Sequence, residues 1–270
     1  MTKLLKYSLF IIGALFVIGF FINRNENYSS APSVFQNKAN IIKINGQNYE
    51  LTFQNKMMAK NIIKEDFKIY AEGGDTITTD ELQRDYEKNE VAADEKYKDH
   101  YFFVSGRIQD IKRSIGKNYY LELNGGSNMF MHPSAHMEEQ EKNYLATLNK
   151  GEKVHLFCRG EGMIIGSAHL GHCISASTFA ERESNKYIDT IKQKIEAGDK
   201  TALSLLLYAS AVAETQPAES VCFSQEEKAF KECTKLLDKL PEEKKEEIKK
   251  NAEKLVDKYG INVKDIANAT

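Results

Sequence analysis

The chain has no tryptophan and only four cysteines among its 270 residues, and its charges nearly cancel: 37 Lys and Arg against 39 Asp and Glu. A net charge of −2 sets up no broad field for a polyanion, which argues against nucleic acid as a partner. There is no phosphate-binding glycine loop, no nucleophile elbow and no HExxH-type motif. The chemistries that depend on them are excluded, and the chain reads as a non-enzyme without a cofactor. Long apolar runs are equally scarce. "TALSLLLYASAVA", residues 201–213, is well short of the roughly 20 residues that span a bilayer and reads as the buried centre of a small helical bundle.

One run is long enough. "MTKLLKYSLFIIGALFVIGFFINRN" opens the chain, uncharged from Tyr7 to Ile22. Taken from Leu4 to Ile22 it can cross a bilayer, with Lys6 snorkelling to the headgroups. A cleaved signal peptide would need a small-x-small site just after the run. Ser29 and Ala31 come too far downstream, Pro32 stands in the way, and no cysteine is close enough for a lipoprotein anchor. Residues 1–23 therefore read as an uncleaved signal-anchor. Lys3 and Lys6 precede the run, whereas Arg24 is followed by nothing basic until Lys38. This places the N-terminus in the cytoplasm and the bulk of the chain outside, periplasmic or extracellular, where disulfides persist.

Residues 24–75 read as a polar tether followed by a hairpin turning at Asn45-Gly46. Gln54 to Asp75 fits no single pattern, and "FKIYAEGGD" can be taken as a strand ending at Gly73-Gly74. Residues 76–178 begin with a helix. Thr78 and Glu81 fit a capping box, and Leu82, Tyr86, Asn89, Ala93 and Tyr97 form one stripe, Asn89 being its polar member with a structural hydrogen bond expected. Strands follow: "YFFVSGRIQDI", with Gly106 suited to a bulge or bend, then "NYYLELN" and "MFMH". A helix from Met137 to Leu148 precedes "KVHLFC" and "GSAHLGHCIS". Five short strands with a helix between the third and fourth is the order of an OB-fold, a Greek-key barrel. Residues 179–270 read as helical. Tyr187, Ile188, Ile191 and Ile195 form a stripe closed by Gly198, a capping box at Ser224 and Glu227 opens a helix with Phe230 and Cys233 inward, and a solvated Glu–Lys helix follows Pro241. The fold class is thus α+β: an N-terminal membrane helix, a five-stranded OB barrel and a helical C-terminal region.

A hairpin around Ile165–Gly166 would set Cys158 opposite Cys173, within the roughly 4.4–6.8 Å that a disulfide needs. A structural disulfide is favoured over buried free thiols, and the spacing is too long for a redox Cys-x-x-Cys pair. If a helix starts at Ser224, its rise of about 1.5 Å per residue carries Cys233 out of reach of Cys222. All six histidines, His100, His132, His136, His155, His169 and His172, fall in the barrel segment. Zinc with a cysteine thiolate is the reading they invite. No pair has i, i+4 spacing within a helix, however, and Pro133 separates His132 from His136. Solvent-facing strand histidines are the default.

"ELQRDYEKNEVAADEKYKDHYFFVSGRI", "YYLEL", "LNKGEKVHLFCRGEG" and "LGHCIS" resemble the tRNA-anticodon-like OB-fold family, a set of bacterial envelope proteins. The pattern Leu82, Tyr86, Asn89, Ala92, Ala93, Asp94, Tyr97 leads the match, followed by Gly106, Lys150-Gly151, Cys158 and Cys173. The resemblance covers about 80–178. It implies the fold and brings no catalytic or ligand residues to carry over.

OB-folds bind ligands on the face of strands two and three and in the loops joining strands one to two and four to five. Tyr120 and Phe130 are candidates for a stacking platform there, and Arg107, Lys112, Arg113 and Lys117 for an anion patch. Ordinary cross-strand packing is the competing account of both rings. From Lys98 to Glu161 nine basic residues meet eight acidic ones, a balance of +1, little for nucleic acid to use. The expectation is a membrane-anchored, extracytoplasmic binding or scaffolding protein that engages an envelope protein or glycan. The alternatives are a single-stranded nucleic-acid binder and a metal protein built on the histidines.

Overall fold

The computed structural model describes residues 40–114, 119–128 and 130–262. The expected membrane helix and Lys117 lie outside them. Among the described residues no helix is long and apolar enough to cross a membrane. The chain forms two compact units, one made by Lys68–Arg182 and the other by the segments on either side of it.

The barrel unit is built on β4, Tyr101–Arg113. Its first half pairs antiparallel with β7, Lys153–Ile164, from Tyr101↔Arg159 to Arg107↔Lys153. Its second half pairs with β5, Tyr119–Leu123. A register shift between Ile108 and Asp110 divides the two halves. Further round come β6, Ser134–Met137, and β8, Ser167–Ser175, giving the order β4-β5-β6-β8-β7, closed by β7 on β4. This is the expected Greek-key barrel. The short β3, Thr76–Thr78, runs parallel beside β4.

Alternation fills the interior. Val104, Ile108, Leu121, Leu123, Ala135, Leu156 and Leu170 are fully buried, each large side chain contributing about 1.5–3 kcal/mol of burial. Cys158 and Cys173 are bonded within the same core, their Cα atoms 4.2 Å apart. Two helices, α2 (Thr79–Lys88) and α3 (Glu90–Tyr97), add Leu82, Tyr86, Ala93 and Tyr97. The single helix expected here breaks at Asn89, which leaves the buried stripe to cap α3 by accepting from the Ala92 N–H. Thr78 caps α2 through the Glu81 N–H, as its spacing suggests. Tyr86 donates to Asp94 at 3.2 Å and Tyr97 donates to Asp85 at 2.6 Å, cross-linking the helix pair. Tyr86, Asn89, Asp94 and Tyr97 thus serve the architecture. Gly106 sits in regular pairing away from the bulge. It is glycine because a Cβ there would collide with the side chain of the buried Thr79.

Two further local expectations fail in this unit. The third strand is Ser134–Met137 rather than "MFMH": Pro133 has no N–H to give a ladder, but its carbonyl accepts from Leu123, and the strand starts just beyond it. The helix expected over 137–148 shrinks to a 3₁₀ turn at Glu139–Glu141 and α4, Lys142–Leu145, because Met137 is already committed to the sheet.

In the helical unit, β1 (Asn40–Ile44) and β2 (Gln47–Leu51) form the expected hairpin. Asn45 and Gly46 have φ of 47° and 80°, the left-handed pair that a two-residue turn requires. The segment from Gln54, read as ambiguous with a strand at its end, is part of α1, Phe53–Gly73. Thr52 accepts from the Asn55 N–H at its start, and Met58, Ala59, Ile63 and Phe67 are buried along one side. Then come α5 (Ala176–Glu196), α6 (Lys200–Ala213), α7 (Glu227–Asp238) and α8 (Glu242–Lys258). α6 is the buried centre, with Leu206, Leu207 and Ala209–Ala213 inside, and it packs on α8. The Tyr49 and Ser210 hydroxyls bond to each other, and Asn55 donates to Tyr49 at 2.7 Å.

Cys222 and Cys233 are bonded, with Cα atoms 4.8 Å apart, against the expectation that they could not pair. The helix starts at Glu227, not Ser224. Val221–Phe223 forms a 3₁₀ turn, and Ser224 caps the bend by accepting from Glu226. The chain doubles back before the helix begins, which cancels its rise.

Candidate binding face on the barrel

The two outer sides of the barrel differ. On the β4–β7 side, Phe103 and Phe157 meet at 4.9 Å and are covered by Phe179, at 4.8 Å from Phe103 and 4.9 Å from Phe157, and by Tyr70 at 5.4 Å from Phe103. That side is closed by its own rings.

On the β5–β6–β8 side the rings stay half-exposed. Leu121, Ala135 and Leu170 point inward, so their neighbours Tyr120, His136 and His169 point out. Register then lines them up: Tyr120 is directly opposite His136, and Ser134 directly opposite His169. Tyr120 stacks on His136 at 5.2 Å and 17°, and His136 stacks on His169 at 5.8 Å and 22°. Three strands therefore carry one continuous column of parallel rings. Ser134 Oγ lies 3.2 Å from His169 Nδ1 and orients that ring. Charge stands at both ends. Lys112 pairs with Glu122 at 2.6 Å beside Tyr120. Beyond His169, the Glu161 carboxylate lies across Gly171, where any side chain would collide with it. Burial, then repulsion from His136, pushes the His169 imidazole below its ordinary value, while Glu161 pulls the other way. At neutral pH the ring is uncharged and stacks without an ionic penalty.

The expected site residues distribute as follows. Tyr120 is the first ring of the column. Lys112 is held by Glu122, and Asp110 on the same strand by Lys150 at 2.8 Å. Arg113 lies over the Tyr119 ring at 5.9 Å, and Arg107 donates to the Gly151 carbonyl at 3.0 Å. Phe130 is on the connection between β5 and β6, off the strands and 81% exposed. Of the described basic residues only Lys112 borders the ring column, while Arg107 and Arg113 bond elsewhere. His136 and His169, read as default strand histidines, are what the expectation missed. The signal was the alternation that begins at Ser134, hidden by the misplaced third strand. Among the described residues no three His, Cys, Asp or Glu side chains are grouped to hold a metal ion.

A closed five-stranded Greek-key barrel with rings on the face of its second and third strands defines an OB-type binding fold. A family model described as tRNA_anti-like matches residues 1–174, well over half of the chain, and the protein belongs to that family. The match takes in the N-terminal hairpin and α1 as well as the barrel. No curated protein matches the chain.

Proposed function

We propose that this is a membrane-tethered binding protein of an extracytoplasmic, oxidising compartment, non-catalytic, whose barrel takes an envelope glycan on the β5–β6–β8 face. The column Tyr120–His136–His169 carries the reading. The rings cover one another's faces, so the column presents a half-exposed row of ring edges to the CH groups of a sugar, and Glu161, exposed at its end, offers a partner to sugar hydroxyls. Location is supported by the apolar run at residues 4–22 and by two disulfides, which are rare in the cytosol. The nucleic-acid reading is weakened because Lys112 is already paired with Glu122.

Full-length protein in detergent, titrated with soluble cell-wall glycan fragments by calorimetry, should bind. Tyr120→Ala or His136→Ala should lower affinity at least tenfold while the barrel stays folded. Affinity unchanged in both variants, or binding to single-stranded nucleic acid that falls steeply with salt, overturns the proposal. A reporter fused at Asn40 that is active only in the cytosol overturns the location.

A further inference from the structure

The two most exposed large apolar side chains among the described residues are Ile165, 89% exposed, and Phe130, 81%. They stand on neighbouring loops: Met131, next to Phe130, lies against Gly166, next to Ile165. Ile164, half-exposed, extends the pair. Neither loop is slack. Gln83 of α2, fully buried, uses both ends of its amide on the β7–β8 hairpin, donating to the Gly166 carbonyl at 2.8 Å and accepting from the Ala168 N–H at 2.9 Å. One turn on, Glu87 accepts from the Ser127 N–H and hydroxyl on the other loop, and Asp80 accepts from the Gly126 N–H. Asn128 then bends the chain by accepting from Phe130 and Met131. Ile165 is held at φ 50°, a region that β-branched residues avoid. One helix face thus fixes two loops so that three apolar side chains protrude.

We propose that Phe130, Ile164 and Ile165 form an edge that inserts into the bilayer anchoring the chain; this rests on the reading of residues 4–22 as a membrane anchor. Two arguments select lipid over a protein partner. The side chains are knobs on convex tips, which a fluid apolar phase accepts without a matching pocket. And only 17 residues, 23–39, separate the apolar run from the first described residue, a contour of at most about 60 Å. Such a short tether keeps the local concentration of bilayer high, so that weak insertion suffices. The edge then fixes how the barrel faces the membrane, and with it the presentation of the ring column.

The absence of tryptophan makes the test direct. Full-length Phe130→Trp, reconstituted in phosphatidylcholine–phosphatidylglycerol vesicles, carries a single tryptophan. Brominated lipids should quench it at least twofold, and adding Ile164→Asp and Ile165→Asp should abolish the quenching. A reporter at Lys153→Trp, at the far end of β7, should be quenched little. Co-flotation with the vesicles reads the anchor separately. Protein that floats while Phe130→Trp is unquenched overturns the insertion alone, and protein that does not float overturns both. A blue shift that depends on protein concentration and not on brominated lipid shows a second copy covering the edge, which also overturns it.

Discussion

Among the described residues each unit contains a two-residue hairpin turn and a buried disulfide, and the two turns differ in what their side chains meet. At Asn45–Gly46 and Ile165–Gly166 the backbone is nearly the same, with φ of 47° and 80° against 50° and 81°. Asn45, at the surface, donates through its amide to the carbonyls of Tyr259 and Gly260 at the end of α8. Ile165 makes the same turn and points its side chain out. The disulfides reverse the contrast in their origin: Cys158–Cys173 joins adjacent strands in the barrel core, whereas Cys222–Cys233 joins a 3₁₀ turn to a helix. A turn or a crosslink of one geometry therefore says little about its purpose until its surroundings are known.

Removing either disulfide should have the largest effect. Closing a 15-residue loop is worth about 3 kcal/mol and an 11-residue loop slightly less. Both pairs are fully buried, and emptying either site adds roughly 1–2 kcal/mol. Cys158→Ala with Cys173→Ala should therefore cost about 4–5 kcal/mol in urea unfolding, and Cys222→Ala with Cys233→Ala slightly less. A loss of only about 3 kcal/mol at one site would mean that its surroundings close over the missing sulphurs. Unfolded, unreduced wild-type protein should show no reactive thiol.

The helical unit also has a buried charge to set against the barrel. Burial, then the neighbouring Glu65, raises the Asp66 carboxyl to about 7. A carboxyl raised on folding makes the native chain bind more protons than the unfolded one between about pH 4 and 7. Stability contributed by this group thus falls as pH rises through that window and stays low above it. Asp66→Asn should gain roughly 2–4 kcal/mol at pH 8 and nothing below pH 4. In the barrel unit His169 has the opposite sign: lowered on folding, it loses stability as pH drops below about 6.5. Thermal melts of Asp66→Asn and wild type across pH 4–8 should converge at the acid end. Parallel curves would place Asp66 in water.

What the sequence discloses follows how many elements must be placed at once. Asn45-Gly46, the turn at Ile165–Gly166 and Cys158–Cys173 are readable because each depends on a single hairpin, across which even cysteines 15 residues apart face each other. α1 is obscured because Lys56, Lys60 and Lys64 interrupt its apolar side, although Thr52 offers a cap. Cys222–Cys233 depends on where a helix begins, and a shift of that start from Ser224 to Glu227 brings the two sulphurs from out of reach into bonding distance. The ring column needs the register of three strands at once, two of them joined in parallel across a long connection. Single-strand alternation gives only the face of Tyr120. Gln83 looks like one more polar residue of a helix until the hairpin that it holds is in place.

Exchanging the two turn residues should change least. Asn45→Ile removes two hydrogen bonds and forces a β-branched residue into the left-handed region. The bonds are worth about 0.5–1.5 kcal/mol each and the conformation about 1–2, shared between a partly and a fully exposed contact, so a loss near 2 kcal/mol is expected. Ile165→Asn relieves the same conformation and breaks no hydrogen bond of the Ile165 side chain, so the protein should gain about 1 kcal/mol. If the exposed isoleucine served only the turn, that gain would come without loss. If it serves the bilayer edge, the more stable variant is also the one in which brominated lipid quenches Phe130→Trp less, and a stabilising substitution that impairs insertion separates purpose from packing at this turn.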